Sequence, residues 1–364
     1  MLRLGQMFTN ETVVIHVMDV IATEDFSRLQ RPDFRCHPAP ISKGLLMNAF
    51  QNRHHRVARM AAVAAAGVIS ALAVMPGVAN ADTPSSRPTV DKPCGVAQKA
   101  ANTKYEHVVW IVMENKSFAQ VNGSPDAPYI NKLAGMCGEA TNYSAITNPS
   151  LPNYIAMTSG STQGVTKDGN PSDFPPITAE SIFSQLGGDW RALNESMKTN
   201  CEAQTDGHYA PKHNPAAYYV EKNFATLCQQ KDIPFDTAST PDLSGKFTFI
   251  TPDLCDDMHD ACAGTGVPGE LQTGDKYLST LIPQLVNSTQ YQSGNTAIFL
   301  TWDEGGAGSN QVLTEVIAPT VTPGTKASDA FTHYSLLRTT EDMLGLPPLG
   351  EATKAASMRN AFSI

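Results

Sequence analysis

The chain reads as one α/β domain with a central, mostly parallel sheet flanked by helices. Three observations carry that reading. Val108–Met113 is an unbroken apolar run rich in β-branched residues, as in a strand buried on both faces. Thr296–Trp302 (TAIFLTW) repeats the pattern much later. Strand and helix signals alternate between and beyond these two runs, which favours a single α/β fold.

Polar pairs follow both runs directly. Glu114-Asn115 ends the first and Asp303-Glu304-Gly305-Gly306 ends the second. Open α/β sheets place their sites at the carboxyl ends of strands. If the two strands are neighbours, Glu114, Asn115, Asp303 and Glu304 converge as hard oxygen donors, the set that holds a divalent metal. Charged hairpin turns have the same composition.

Composition bounds the function. Of 364 residues, 41% are apolar and 17% charged, with net charge −9. Residues 1–81 hold eight Lys/Arg and five Asp/Glu, leaving 18 basic and 30 acidic residues for the rest. An acidic body argues against nucleic-acid binding, which needs basic patches. Met47–Arg59 is a basic segment, Ala61–Val74 an Ala-rich apolar one, and Ala79-Asn80-Ala81 an A-x-A cleavage site. That order is a secretory signal peptide over 47–81, with export to the cell envelope or medium expected. Residues 1–46 are then expected to be an over-extended or unstructured start, and 82–93 a mobile leader before a domain over 94–364.

Cys36 lies in the suspect start, and six cysteines remain: Cys94, Cys137, Cys201, Cys228, Cys255 and Cys262. An even number in an exported chain suggests three disulfides. Pairing of neighbours (94–137, 201–228, 255–262) is the simplest arrangement.

Along the chain, Pro128–Met136, Ala179–Leu186, Gly269–Val286 and Tyr334–Leu344 read as helices. Gly188–Asn194, Lys246–Ile250 and Val312–Ala318 read as strands or turn-plus-strand. Residues 201–240 lack apolar periodicity and read as an irregular excursion over the sheet edge. Pro149 and Pro152 bracket Ser150 just before a helical stretch, so its hydroxyl sits near a helix N-terminus that favours anions. A simple turn serine would look the same.

The polar clusters together are Glu114/Asn115, Ser150, Asp257/His259, Asp303/Glu304 and His333. They suggest a serine nucleophile, a metal held by carboxylates, and histidines that bind a phosphoryl group or relay protons. Asn153, Lys212 and His213 are candidate substrate contacts. No G-x-S-x-G elbow, H-E-x-x-H or P-loop occurs.

The motifs HVVWIVMENKSF, NPSLPNYIAMTSG, PDLCDDMHDAC, LTWDEGG and HYSLLRTTEDMLGLP, in this order, resemble those of the bacterial phosphoesterase family of secreted acid phosphatases and phospholipases C. The likeness is strongest to exported acid phosphatases described as phosphatidylinositol-3-phosphatases. The resemblance implies an alkaline-phosphatase-like three-layer sandwich. It also implies a metal on Glu114, Asn115, Asp303 and Glu304, with Ser150 as ligand and nucleophile. Asp257, His259 and His333 match positions that hold a second metal in two-metal relatives and contact phosphate in single-metal ones. Glu-Asn and Asp-Glu stand where two-metal enzymes show Asp and Asp-His, which favours one ion. Oxygen donors favour Mg, Ca or Mn, with Zn and Fe left open.

The expectation is therefore an exported, metal-dependent phosphomonoesterase with a phosphoserine intermediate. Its substrate is a small phosphate ester or a phosphoinositide, the latter allowing transient contact with a membrane surface. No obligate protein partner is expected. The alternatives are a phospholipase C-type phosphodiesterase and an inactive exported protein that binds phosphate or metal.

Overall fold

The computed structural model describes residues 87–97, 104–306 and 308–364. The signal-peptide pattern over 47–81, the segment 1–46 and the first half of the leader lie outside the described residues.

Strand β1 is His107–Met113, followed by helices α1 (Phe118–Val121) and α2 (Pro128–Met136), strand β2 (Gly138–Ser144) and helix α3 (Ser150–Ser159). Helix α4 (Ile182–Gln185), strand β3 (Trp190–Glu195), helix α5 (Phe224–Lys231) and strands β4 (Asp232–Phe235) and β5 (Phe247–Thr251) come next. Helices α6 (Glu270–Asn287) and α7 (Thr289–Gln292) lead to strands β6 (Thr296–Trp302), β7 (Gln311–Ile317), β8 (Thr325–Ala327) and β9 (Phe331–Thr332). Helices α8 (His333–Leu344) and α9 (Arg359–Phe362) close the chain.

The nine strands among the described residues form one sheet, ordered β4-β3-β5-β1-β6-β7-β2-β8, with β9 also on β2. Only β7 runs antiparallel to its neighbours. The two apolar runs are adjacent: β1 pairs with β6 from His107↔Thr296 to Met113↔Trp302. Strand β5 flanks β1 on its other side. This central position explains the continuous apolar run, because both faces of β1 are covered.

Trp110 meets Phe247 edge-on at 4.8 Å between ring centroids, and its indole N–H donates to Thr340 Oγ1 of α8 at 2.9 Å. Tyr154 of α3, Phe183 of α4 and Phe224 of α5 extend the aromatic layer on that side. Helix α3 packs on α4 and α8, while α2 packs on α6, so the helices form two groups about the sheet. Leu278, Leu281, Ile282 and Leu285 recur at helical spacing on α6 and are all buried.

The three disulfides pair neighbours: Cys94–Cys137, Cys201–Cys228 and Cys255–Cys262. The stretch expected as a wholly irregular excursion is ordered in its second half. It holds α5 and then β4, which adds to the sheet beside β3. The expected helix over Ala179–Leu186 shortens to Ile182–Gln185, starting where the Ser181 hydroxyl accepts from the Ser184 amide.

Candidate active site

In-register parallel pairing brings the ends of β1 and β6 together. The Asp303 amide donates to the Met113 carbonyl at 2.9 Å, so Glu114 and Asp303 leave the sheet side by side. Asn115 follows in a left-handed conformation (φ 56°), which Asn tolerates better than most residues, and its amide donates to Asp303 Oδ1 at 3.2 Å. Gly306 is required here: a Cβ on it would lie 2.6 Å from the Asn115 carbonyl oxygen.

Ser150 is the first residue of α3. Asn153 folds back to shape the turn before it, accepting from the Ile146 and Thr147 amides at 3.0 Å each. The Asn153 amide group also reaches Glu304 Oε2 at 3.4 Å. The Ser150 hydroxyl donates to Glu114 Oε2 at 3.0 Å and lies beside Asp303. One helical turn on, the Tyr154 hydroxyl donates to Glu114 Oε1 at 2.6 Å. Thus one short helix aims two hydroxyls at one carboxylate.

The turn after β5 closes the site from the other side. The Glu114 amide donates to the Asp257 carbonyl at 2.8 Å. His213 sits between the carboxylates, with Nε2 3.2 Å from Glu114 Oε1 and Nδ1 3.2 Å from Asp257 Oδ2. Lys212 Nζ lies 3.2 Å from Asp168 Oδ2 and 3.1 Å from His259 Nε2. Asp168 Oδ1 in turn accepts from the Leu151 amide, next to Ser150, at 3.0 Å. A cavity of about 430 Å³ opens here, with Asp168, Lys212 and His259 in its wall.

Electrostatics follow from burial. Glu114, Asp257 and Asp303 are fully buried, and desolvation lifts all three carboxyls well above their usual range. Their mutual repulsion adds to the shift. Glu304 is pushed up to about 7, by burial first and Asp168 second. Burial holds the His213 imidazole well below its usual range. Burial also works against the Lys212 ammonium, but Glu114 and Asp168 outweigh it and raise that group.

The donor set fits a divalent cation. Among the described residues Asp303 Oδ2 is buried without a hydrogen-bond partner, and Asp257 Oδ2 and His213 Nε2 have none beyond the 3.2 Å contacts of the His213 ring with the two carboxylates. Buried polar atoms left this way are uncommon, and here three face one acidic cluster. Glu114, His213 and His259 each offer a ligand atom within 4.8 Å of the others. Imidazole nitrogen beside carboxylate oxygen widens the choice of metal toward Mn, Fe or Zn.

Of the sequence candidates, Glu114, Ser150, Asp257, Asp303 and His213 meet at the centre. Glu304, Lys212, Asn153 and His259 border it. Asn115 reaches the cluster through its backbone amide. His333 is fully buried, its Nε2 2.6 Å from the Asp303 carbonyl oxygen and its Nδ1 3.1 Å from the Tyr143 hydroxyl. Both ring nitrogens are therefore occupied by protein groups, and burial lowers its pKa to about 4. Tyr154 and Asp168 were not singled out from the sequence. Tyr154 carries a signal in hindsight, four residues after the serine, whereas Asp168 lies in a loop with no pattern to expose it.

The model of the Phosphoesterase family matches residues 124–347, more than half of the chain. A phosphatidylinositol-3-phosphatase of Mycobacterium tuberculosis is 33% identical over 273 residues, covering 72% of this chain and 84% of that protein. An acid phosphatase of Aspergillus fumigatus is 30% identical over 232 residues, covering 58% of this chain and 49% of that longer protein. Among solved structures, a protein in the alkaline phosphatase superfamily from Vibrio parahaemolyticus aligns with TM-score 0.45 at 12% identity, over 76% of this chain and 74% of that one. A structural likeness at that level carries no argument about activity. The chain belongs to the Phosphoesterase family.

Proposed function

We propose that this protein is an exported, metal-dependent phosphomonoesterase that transfers the phosphoryl group through Ser150. One observation carries the reading: the Ser150 hydroxyl, at the start of a helix, points 3.0 Å from a buried Glu114 inside a cluster of unpaired metal-donor atoms. The relatives named as acid phosphatases and as a phosphatidylinositol-3-phosphatase make phosphate monoesters, phosphoinositides included, the substrate class. Export rests on the signal-peptide pattern before Asp82 and on three disulfides.

Glu114, Asp303 and His213 would hold the metal, which supplies positive charge for the phosphoryl oxygens and makes the serine hydroxyl more acidic. In the first step the Ser150 Oγ–phosphorus bond forms and the ester P–O bond breaks. The serine proton passes to Glu114 Oε2, and the departing alkoxide takes a proton from water. A water-derived oxygen then bonds phosphorus as the Ser150 Oγ–phosphorus bond breaks, phosphate leaves, and Glu114 returns its proton to Ser150. Tyr154 holds the other Glu114 oxygen, fixing the orientation of the acceptor.

Lys212 is the cation that meets the substrate at the cavity wall. His259 Nε2 accepts from Lys212 while Nδ1 donates to Asp260 Oδ1 at 2.7 Å, a tautomer assigned from these two partners. His259 thereby positions the lysine.

The test is turnover of nitrophenyl phosphate and of bis-(nitrophenyl) phosphate, before and after chelation, with metals restored singly. Expected are monoester preference, loss on chelation and recovery with one ion. Ser150→Ala is expected to lose at least ~10³-fold in kcat with its circular dichroism unchanged. Wild-type-like turnover by folded Ser150→Ala removes the nucleophile. Diester preference moves the protein to the phosphodiesterase branch.

A further inference from the structure

The same sheet edge carries a second acid cluster that the phosphatase reading does not use. Glu195 ends β3 and Asp253 follows β5, and these strands are parallel neighbours with Asn194 beside Thr251. One oxygen each of Glu195, Asp253 and Asp256 lies within 4.8 Å of the others. The Ser196 hydroxyl donates to Asp253 Oδ2 at 2.7 Å, and the Asp253 amide donates to Glu195 Oε2 at 3.1 Å. Asp236 adds negative charge nearby. Lys276 and His208 are the cationic or titratable groups facing Asp256, and Lys276 Nζ is held by the Thr265 carbonyl at 2.8 Å.

An independent observation points to a ligand. Tyr277 of α6 is only 5% exposed, and its hydroxyl has no hydrogen-bond partner among the described residues. The charges that act on this hydroxyl are, in order, Glu195, Asp256, Asp253 and, last, Asp257. A buried tyrosine hydroxyl normally finds a partner. A water carried on a cation at the cluster would supply one. Entry is open on both sides. A cavity of about 400 Å³ has Asp253, Asp256 and Tyr277 in its wall, and one of about 550 Å³ has Glu195 and Asp236.

We propose that Glu195, Asp253 and Asp256 form a calcium site that braces the turn over residues 253–262. The donors are all hard oxygens, and solvent can complete the six to eight ligands that calcium takes. The neighbouring sulfurs do not compete, because Cys255 and Cys262 are joined to each other. The braced turn is the one that carries Asp257 and His259, and the Asp257 amide donates to the Asp253 carbonyl at 2.8 Å. Affinity is expected in the ~10⁻⁴–10⁻³ M range of extracellular calcium modules.

The experiment uses calcium alone, with thermal midpoint and terbium luminescence as readouts, so it stands apart from turnover. Expected are a calcium-dependent rise in midpoint and calcium-displaceable terbium emission, with affinity reduced at least tenfold in Glu195→Gln/Asp256→Asn. Tyr277→Phe is expected to dim the emission while keeping the calcium response. If the double variant does not fold, Asp256→Asn alone must still show the reduced affinity. An unchanged calcium response in a folded variant overturns the site. So does a wild-type protein indifferent to about 10 mM calcium, in which case the carboxyls share a proton instead.

Discussion

Two acid clusters sit on one sheet edge, one strand pair apart, and they differ in depth. Glu114, Asp257 and Asp303 at β1 and β6 have no exposed surface. Glu195, Asp253 and Asp256 at β3 and β5 are half-buried, with cavities on either side. The buried group has the Ser150 hydroxyl and the His213 imidazole directly on its carboxylates, whereas the shallow group has the Ser196 hydroxyl on Asp253 and His208 facing Asp256. Desolvation keeps an uncompensated carboxylate far from its solution behaviour, so the deep cluster is primed to take up positive charge and act on a substrate. The shallow cluster can share its charge with water and is suited to holding structure. The lesson is that neither carboxylate count nor a neighbouring hydroxyl separates the two clusters; depth of burial does.

The sharpest way to break this contrast is to neutralise one acid in each cluster. Glu114→Gln removes the proton acceptor of Ser150 and is expected to lower kcat by ~10²–10⁴-fold, the range for a positioned acid or base. Glu195→Gln is expected to leave kcat within about threefold at saturating calcium while shifting the calcium response of the midpoint. Parallel kcat and melting series on the two variants check both statements. Equal losses of turnover would erase the distinction.

A smaller effect probes orientation within the deep cluster. Tyr154→Phe deletes the 2.6 Å hydrogen bond to Glu114 Oε1 and little else in shape. A bond to a charged group is worth about 1.5–3 kcal/mol, so kcat/KM is expected to drop by about 10–150-fold. A positioning role predicts the loss mainly in kcat. A change confined to KM would make the tyrosine a substrate contact.

How much of this was readable from sequence depends on where each residue sits. The apolar runs of β1 and β6 were visible because burial on both faces leaves no polar interruption, and the pairs after them followed at once. The alternating, partly exposed GEATNYS of β2 and the two- and three-residue strands β9 and β8 left no such trace, since pairing partners distant in sequence define them. The same holds for β4, whose Pro234 suits an edge strand. At the site, Glu114 and Asp303 were legible as strand ends. The bond from Asp168 to the Leu151 amide, and the place of His213 between Glu114 and Asp257, join loops that only the tertiary fold brings together.

Asp168 offers the next test. Its carboxylate occupies the Leu151 amide and Lys212, two donors that an incoming phosphoryl group would also use. Asp168→Asn is expected to tighten inhibition by inorganic phosphate about fivefold, equivalent to ~1 kcal/mol for a partly exposed charge. Inhibition constants measured at fixed pH decide it, and weaker phosphate binding would mean that Asp168 is needed to aim Lys212.

The smallest effect separates burial from ligand binding altogether. Glu341 of α8 lies outside both clusters, and its Oε1 accepts from the Leu349 amide at 2.8 Å. Burial, opposed by that amide, pushes its carboxyl up to about 8 from an ordinary 4.5. Between these values the native state holds a proton that the unfolded chain has released. Stability from this group is therefore full below about pH 4.5 and falls as pH rises to about 8. Glu341→Gln keeps an acceptor for Leu349 and cannot ionise, so its thermal midpoint is expected to decline less steeply than wild type across that window, with no dependence on calcium. Midpoints of the two proteins at matched pH test this. Parallel slopes would show that Glu341 is ionised in the folded protein, and that burial by itself does not move a carboxyl here.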